Sequence, residues 1–200
     1  LQRTELIEHL NFSKNKNSII VTHLGAISEN QVNKNELIKS SIKLKVDQNI
    51  SFDKLNEQLF DLNFRREDFV VEPGEFAVRG GILDIFPYSS QTPYRIEFFG
   101  DEITRIRSFD IESQRSEKNH QSIKIISNIQ VSKKSKNIQN IFDVINDDTV
   151  IYLQCINLFN SEIQKIVENA KSKFDNSLNK EDLVNPENLF ININSVKKQL

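Results

Sequence analysis

At 200 residues, with 38% apolar content and a formal net charge of −2, the chain is long enough for one or two domains with a modest core. It is too near neutrality to be a nucleic-acid binder over its whole surface. A single cysteine, Cys155, excludes an internal disulfide and fits a reducing, cytoplasmic setting, and no apolar run approaches the ~18 residues of a membrane span.

In chain order, Leu6, Ile7 and Leu10 have helical spacing and predict the end of an amphipathic helix. After a polar turn over 11–17, the short apolar run Ser18-Ile19-Ile20-Val21-Thr22 predicts a buried strand of an α/β sheet. Residues 35–41 are weakly helical, and Ile42 to Val46 alternate with period two, as a half-exposed strand does. Ser51 predicts the N-cap of a helix running to Leu62, with Leu55, Leu59 and Phe60 on one face. Beyond the central stretch, Ile123 to Ile126 predict a short strand and Ile141 to Ile145 a short helix. Thr149-Val150-Ile151-Tyr152-Leu153 repeats the buried-strand signature, which makes nearby Cys155 a small buried hydrophobe. Residues 157–171 predict the strongest helix, with Phe159, Ile163, Ile166, Val167 and Ala170 in one stripe packed on a sheet. Pro186 starts a last short helix. The missing initiator Met, and an ending at Lys197-Lys198-Gln199-Leu200 within a possible helix, lead us to expect a piece of a longer protein.

The stretch 68–115 stands apart: it holds five of the eight arginines and four of the five glycines. Pro73-Gly74 fits a type II turn, in which Pro presets φ and Gly supplies the positive φ. Glu75 to Arg79 alternate, and Gly80-Gly81 is expected to bend the strand as a bulge before Ile82 to Phe86 continue it. In Tyr94 to Phe99, Tyr94, Ile96 and Phe98 point inward and Arg95, Glu97 and Phe99 outward. Gly100-Asp101 is a tight turn, and the apolar phase of the next strand slips between Ile103 and Ile106, which predicts an irregularity. The expected product is an antiparallel meander with one buried face.

The outward face carries the functional signal. Arg79, Arg95 and Phe99 fall on it, and arginine and aromatic residues are the types enriched at protein–protein hot spots. The bland alternative is a satisfied cross-strand pair, such as Arg79 with Glu97, and a phenylalanine covered by a loop. A second rival is a nucleic-acid-binding module using the same arginines, whose affinity would fall steeply with salt. The carboxylates Glu72, Glu75, Asp84, Glu97, Asp101, Glu102 and Asp110 show no ligand spacing and read mostly as solvated charge. His9, His23 and His120 lie in separate segments and give neither a zinc spacing nor a triad. Arg79-Gly80-Gly81 is one copy, not an RGG array; Lys133-Lys134-Ser135-Lys136 reads as a solvated loop; and no phosphate-binding glycine loop occurs.

The runs Glu72-Pro73-Gly74-Glu75-Phe76-Ala77-Val78-Arg79-Gly80-Gly81-Ile82-Leu83-Asp84-Ile85-Phe86-Pro87 and Tyr94-Arg95-Ile96-Glu97-Phe98-Phe99-Gly100-Asp101-Glu102-Ile103 resemble the hallmark of the transcription-repair coupling factors. Ser108-Phe109-Asp110 and Ser113-Gln114-Arg115-Ser116 complete the pattern, and the first run is shared more loosely with UvrB. The match is dense over 65–116, and segments 1–46 and 147–171 resemble, in order, the parts that flank it in the family. The resemblance implies an α/β plus mostly antiparallel β chain. A β-rich domain 2 (47–130) would be inserted between two parts (1–46 and 131–200) of an incomplete, NTPase-like α/β domain 1 that has lost ATP hydrolysis. It further implies that domain 2 docks UvrA through Arg79, Arg95 and Phe99, the three positions that alternation places outward. The implied role is a non-catalytic cytoplasmic adaptor that recruits UvrA to stalled RNA polymerase in transcription-coupled nucleotide excision repair. No cofactor, metal or membrane is implied for the chain itself. ATP, DNA and RNA polymerase would engage other domains of the full-length proteins.

Overall fold

A computed structural model describes residues 2–12, 18–132, 135, 137–153 and 155–192. In chain order the elements are α1 (Gln2–Phe12), α2 (Leu24–Ser28), β1 (Gln31–Val32), α3 (Lys34–Lys39), β2 (Ser41–Lys45) and α4 (Phe52–Asp61). Strands β3 (Arg65–Arg66), β4 (Glu75–Arg79), β5 (Ile82–Ile85), β6 (Tyr94–Phe99), β7 (Glu102–Phe109), β8 (Ser116–Asn119) and β9 (Ser122–Ile126) follow. Then come β10 (Ile138–Gln139), a 3₁₀ turn at Ile141–Asp143, α5 (Ile156–Asp175), a 3₁₀ turn at Lys180–Asp182 and α6 (Pro186–Leu189). The chain divides into two compact units, Leu1–Leu6 with Leu37–Asn128 and Ile7–Glu36 with Ile129–Leu200. Among the described residues no helix is long and apolar enough to cross a membrane.

The first unit is built on a six-stranded sheet of order β3-β4-β5-β6-β7-β8, antiparallel except for the short parallel pair β3–β4. A separate antiparallel pair, β2–β9, lays Leu44, Ile123 and Ile125 into the same core as Leu55 and Leu59 of α4. That core covers one face of the sheet, where Phe76, Leu83, Ile85, Ile96 and Ile106 are fully buried. Ser51 caps α4 as its position predicts, accepting from Lys54 N (3.4 Å).

Turn chemistry sets the strand register. Glu75 N donates to Glu72 O (3.3 Å) and Gly74 has φ +92°, the geometry of a type II turn. A Cβ on Gly74 would also lie 2.2 Å from Tyr88 Oη, so this position has no room for a side chain. Gly80-Gly81 departs from expectation: Arg79 pairs directly with Ile82, so the two glycines are the loop of a tight hairpin and not a bulge in one strand. Gly100-Asp101 closes the next hairpin in the same way, between Phe99 and Glu102. Both loops open on glycine with positive φ (59° and 61°), the first central position that two-residue hairpins reserve for it. The irregularity expected in β7 is present: the register shifts opposite Glu97/Phe98, which lets both Ile103 and Ile106 face the core.

In the second unit β1 pairs antiparallel with β10, and α5 buries Phe159 and Ile163 beside Ile191, with Leu24 and Ile27 of the α2 turn packed against them. Two expectations fail here. Residues 18–22 and 149–153 form no strand, and Ile19, Val21, Val150 and Tyr152 are exposed. A strand exists only when its backbone groups find a ladder partner, and no described segment pairs with either run. Cys155 is exposed at the start of α5 and is not a core residue. The final helix does begin at Pro186, capped by Asn185, whose Oδ1 accepts from Glu187 N (2.9 Å). The expectations for residues 13–17, the lysines at 133, 134 and 136, and 193–200 lie outside the described residues.

Candidate protein-docking site

The face of the six-stranded sheet opposite the core is organised by charge. Register sets Asp84 of β5 directly opposite Arg95 of β6, and Glu97 of β6 opposite Arg105 of β7. Arg95 grips Asp84 at two points, Nε donating to Oδ1 (2.7 Å) and Nη2 to Oδ2 (2.8 Å). Arg79, diagonal to Asp84 across the β4–β5 hairpin, donates from Nη2 to the same Oδ2. Glu97 in turn accepts from Arg107 and stands 3.9 Å from Arg105. Four guanidiniums therefore share two carboxylates. The arrangement relieves the direct opposition of Arg95 and Arg107, a like-charge pair that would otherwise weaken the sheet.

Asp84 is nearly closed to water, with its side chain 2% exposed. A carboxylate so placed is costly to bury without charged or hydrogen-bonding partners, and the two arginines supply them. Its hydrogen bonds are the largest influence on Arg95 and raise that guanidinium above its ordinary value, against the opposing effect of burial. Arg95 is held further by Gln114, whose carbonyl accepts from Nη1 (3.3 Å), and by the Phe109 ring, 4.6 Å beneath the guanidinium.

The three residues singled out from the sequence share this face but not its exposure. Phe99 stands at the end of the β6–β7 hairpin with 82% of its surface free, and Arg79 keeps 39% of its side chain in water. Arg95 corrects the expectation of a solvent-facing side chain: only 15% of it is exposed. The reason is that this face has a partial cover. Val70 tucks into a small apolar cluster with Ala77, Phe86 and Phe109, and the 110–114 turn brings Gln114 over Arg95. The pairing of Arg79 with Glu97 does not occur either, since Asp84 takes its place.

Two carboxylates, Asp84 and Glu75, are buried and not the solvated charge that the sequence suggests. Asp84 was legible in principle, as a lone acid inside the apolar strand Ile82 to Phe86 demands a partner. Glu75, also buried, has a structural role: Oε1 accepts from Arg65 (3.1 Å), and Oε2 from the backbone N–H of Val71 and Glu72 (2.9 Å each). The three histidines do not assemble into a site, and among the described residues no group of three His, Cys, Asp or Glu is placed to hold a metal. His120 packs edge-on against Tyr94 (5.2 Å between centroids), and burial, helped by Lys118, lowers its pKa.

Fold and site together define an antiparallel-sheet module that presents an exposed aromatic ring beside immobilised arginines. Residues 42–130 match the family model described as the UvrB interaction domain. The chain is 42% identical over 86 residues to the transcription-repair-coupling factor of Escherichia coli K12, covering 43% of this chain and 8% of that protein. It is 36% identical over 137 residues to that of Staphylococcus haemolyticus, covering 68% and 10%. To that of Bacillus subtilis it is 38% identical over 125 residues, covering 62% and 10%. The chain is thus a relative of the transcription-repair-coupling factors that carries a UvrB interaction domain, and spans about a tenth of their length.

Proposed function

We propose that this chain is the UvrA-docking part of a transcription-repair coupling factor, recruiting UvrA to stalled RNA polymerase in transcription-coupled nucleotide excision repair. The observation that supports it is the exposed Phe99, set beside a fixed arginine array within the residues that match the UvrB interaction domain. In this reading Phe99 enters an apolar pocket on UvrA, the remaining N–H donors of Arg79 meet an acidic or carbonyl group, and Arg95 holds the array in shape. Residues 47–130, with the preceding strand β2 that shares their core, form the UvrA-binding domain 2. It is inserted between two parts of an incomplete NTPase-like domain 1, one before β2 and the other from 131 onward. The module performs no catalysis and needs no cofactor. ATP-driven translocation, and contacts with DNA and RNA polymerase, belong to other domains of a cytoplasmic full-length protein.

Titration of UvrA with the chain and its Phe99→Ala variant tests the reading. The variant is expected to bind about 30-fold more weakly with an unchanged circular dichroism spectrum, and wild-type affinity would sink the site. Duplex DNA titrated at two ionic strengths tests the nucleic-acid alternative. Little binding is expected, whereas tight binding with a steep log–log salt slope would favour that alternative.

A further inference from the structure

Phe69 is the other large aromatic left in water beside the arginine array, with 61% of its surface exposed. Its neighbours fix it there. Val70 is buried against Ala77, Phe86 and Phe109, which pins the segment to the sheet, and the Asp68 carbonyl accepts from Arg79 Nη1 (3.5 Å). The Arg79 guanidinium lies over the Phe69 ring, 5.3 Å from its centroid. Phe69 itself belongs to neither of the two apolar clusters described above, and most of its surface lies in water.

We propose that Phe69 is a second aromatic anchor of the docking surface, which extends from β6 across β5 to the segment draped over β4. The proposal rests on the UvrA-docking reading and enlarges its site. Arg79 and Phe99 stand two strand spacings apart, roughly 10 Å across the sheet. Phe69 lies against the Arg79 guanidinium itself, so an exposed ring stands at the arginine as well as at Phe99. Among the described residues, two of the five N–H donors of Arg79 are committed, and the array around it holds four guanidiniums against two carboxylates. The surface that complements it is an acidic spot beside two apolar clefts, one for each ring. That pattern of aromatic and arginine anchors is the one that concentrates binding energy at interfaces.

The test is a set of UvrA titrations with the 200-residue chain and its Phe69→Ala, Phe99→Ala, Arg79→Ala and Phe69→Ala/Arg79→Ala variants, each checked by thermal melting. Phe69→Ala is expected to weaken binding by about five- to thirtyfold with an unchanged melting temperature, and to weaken it again in the Arg79→Ala background. Wild-type binding by Phe69→Ala, while Phe99→Ala binds weakly, would overturn the second anchor alone. Loss of the Phe69→Ala effect in the Arg79→Ala background would also overturn it, because Phe69 would then act only by seating Arg79. If Phe69→Ala and Phe99→Ala both bind like wild type, the docking reading itself falls and the second anchor with it.

Discussion

The two faces of the six-stranded sheet are made by alternate residues of the same strands, yet different forces hold them. On the core face, Phe76, Leu83, Ile85, Ile96 and Ile106 are wholly removed from water. On the other, Asp84 and Glu97 each serve two arginines, and the aromatic rings of Phe99 and Phe69 are left largely in water. The first face depends on filled volume. The second is a network in which deleting one member strands the others. Alternation assigns a residue to a face, but the chain draped over that face decides whether a partner can reach it.

The contrast is sharpest in the response to truncation. Leu83→Ala should destabilise most, by about 2–5 kcal/mol, seen as a lower urea midpoint with an unchanged slope; a loss under about 1 kcal/mol would mean the core face is not close-packed. On the ionic face Asp84→Ala should cost about 1.5–3 kcal/mol, because Arg95 loses its acceptor while remaining largely covered. A double-mutant cycle with Arg95→Ala should return a coupling above about 1 kcal/mol, and additivity would show the pair to be independent. At the margin, Phe99→Ala should leave the urea midpoint within about 0.5 kcal/mol of wild type, and a larger drop would return Phe99 to the core.

The smallest effect concerns pH. Burial lowers the His120 pKa in the folded state, so the unfolded chain takes up a proton first as pH falls. His120 therefore contributes stability that is present above its unfolded pKa and is lost as pH falls through the folded one. The melting temperature should drop modestly between about pH 7.5 and about pH 5.5, and His120→Gln should flatten that part of the slope. An unchanged slope in the variant would assign it elsewhere.

The sheet was legible because its strands carry local signals: alternation in Glu75 to Arg79 and Tyr94 to Phe99, turn glycines between them, and a phase slip at Ile103 to Ile106. Gly80-Gly81 reads as a bulge in the sequence because a bulge and a two-residue hairpin share the same glycine signature, and only pairing partners tell them apart. The runs at 18–22 and 149–153 are apolar enough for buried strands, but composition does not supply the neighbouring strand that each would need. At the site, the outward phase of Arg79, Arg95 and Phe99 followed from periodicity. The covering of Arg95 did not, because it depends on Val70, Phe109 and Gln114 arriving from other parts of the chain.

The hairpin that carries Phe99 is braced from several sides. The carbonyl of Asp101 accepts from Ile50 N (2.8 Å) and its carboxylate from Phe52 N (3.0 Å), while the Phe98 ring meets Phe52 edge-on at 4.9 Å. From the neighbouring hairpin, Gly81 approaches so closely that a Cβ there would fall 2.8 Å from the Phe98 carbonyl oxygen. The backbone that carries the Phe99 ring is already fixed when a partner arrives. The freedom that a binding loop ordinarily surrenders at the moment of contact is here surrendered during folding. Loosening that mount, for instance by Gly81→Ala, would therefore slow recognition of a partner even though no contacting atom had been removed.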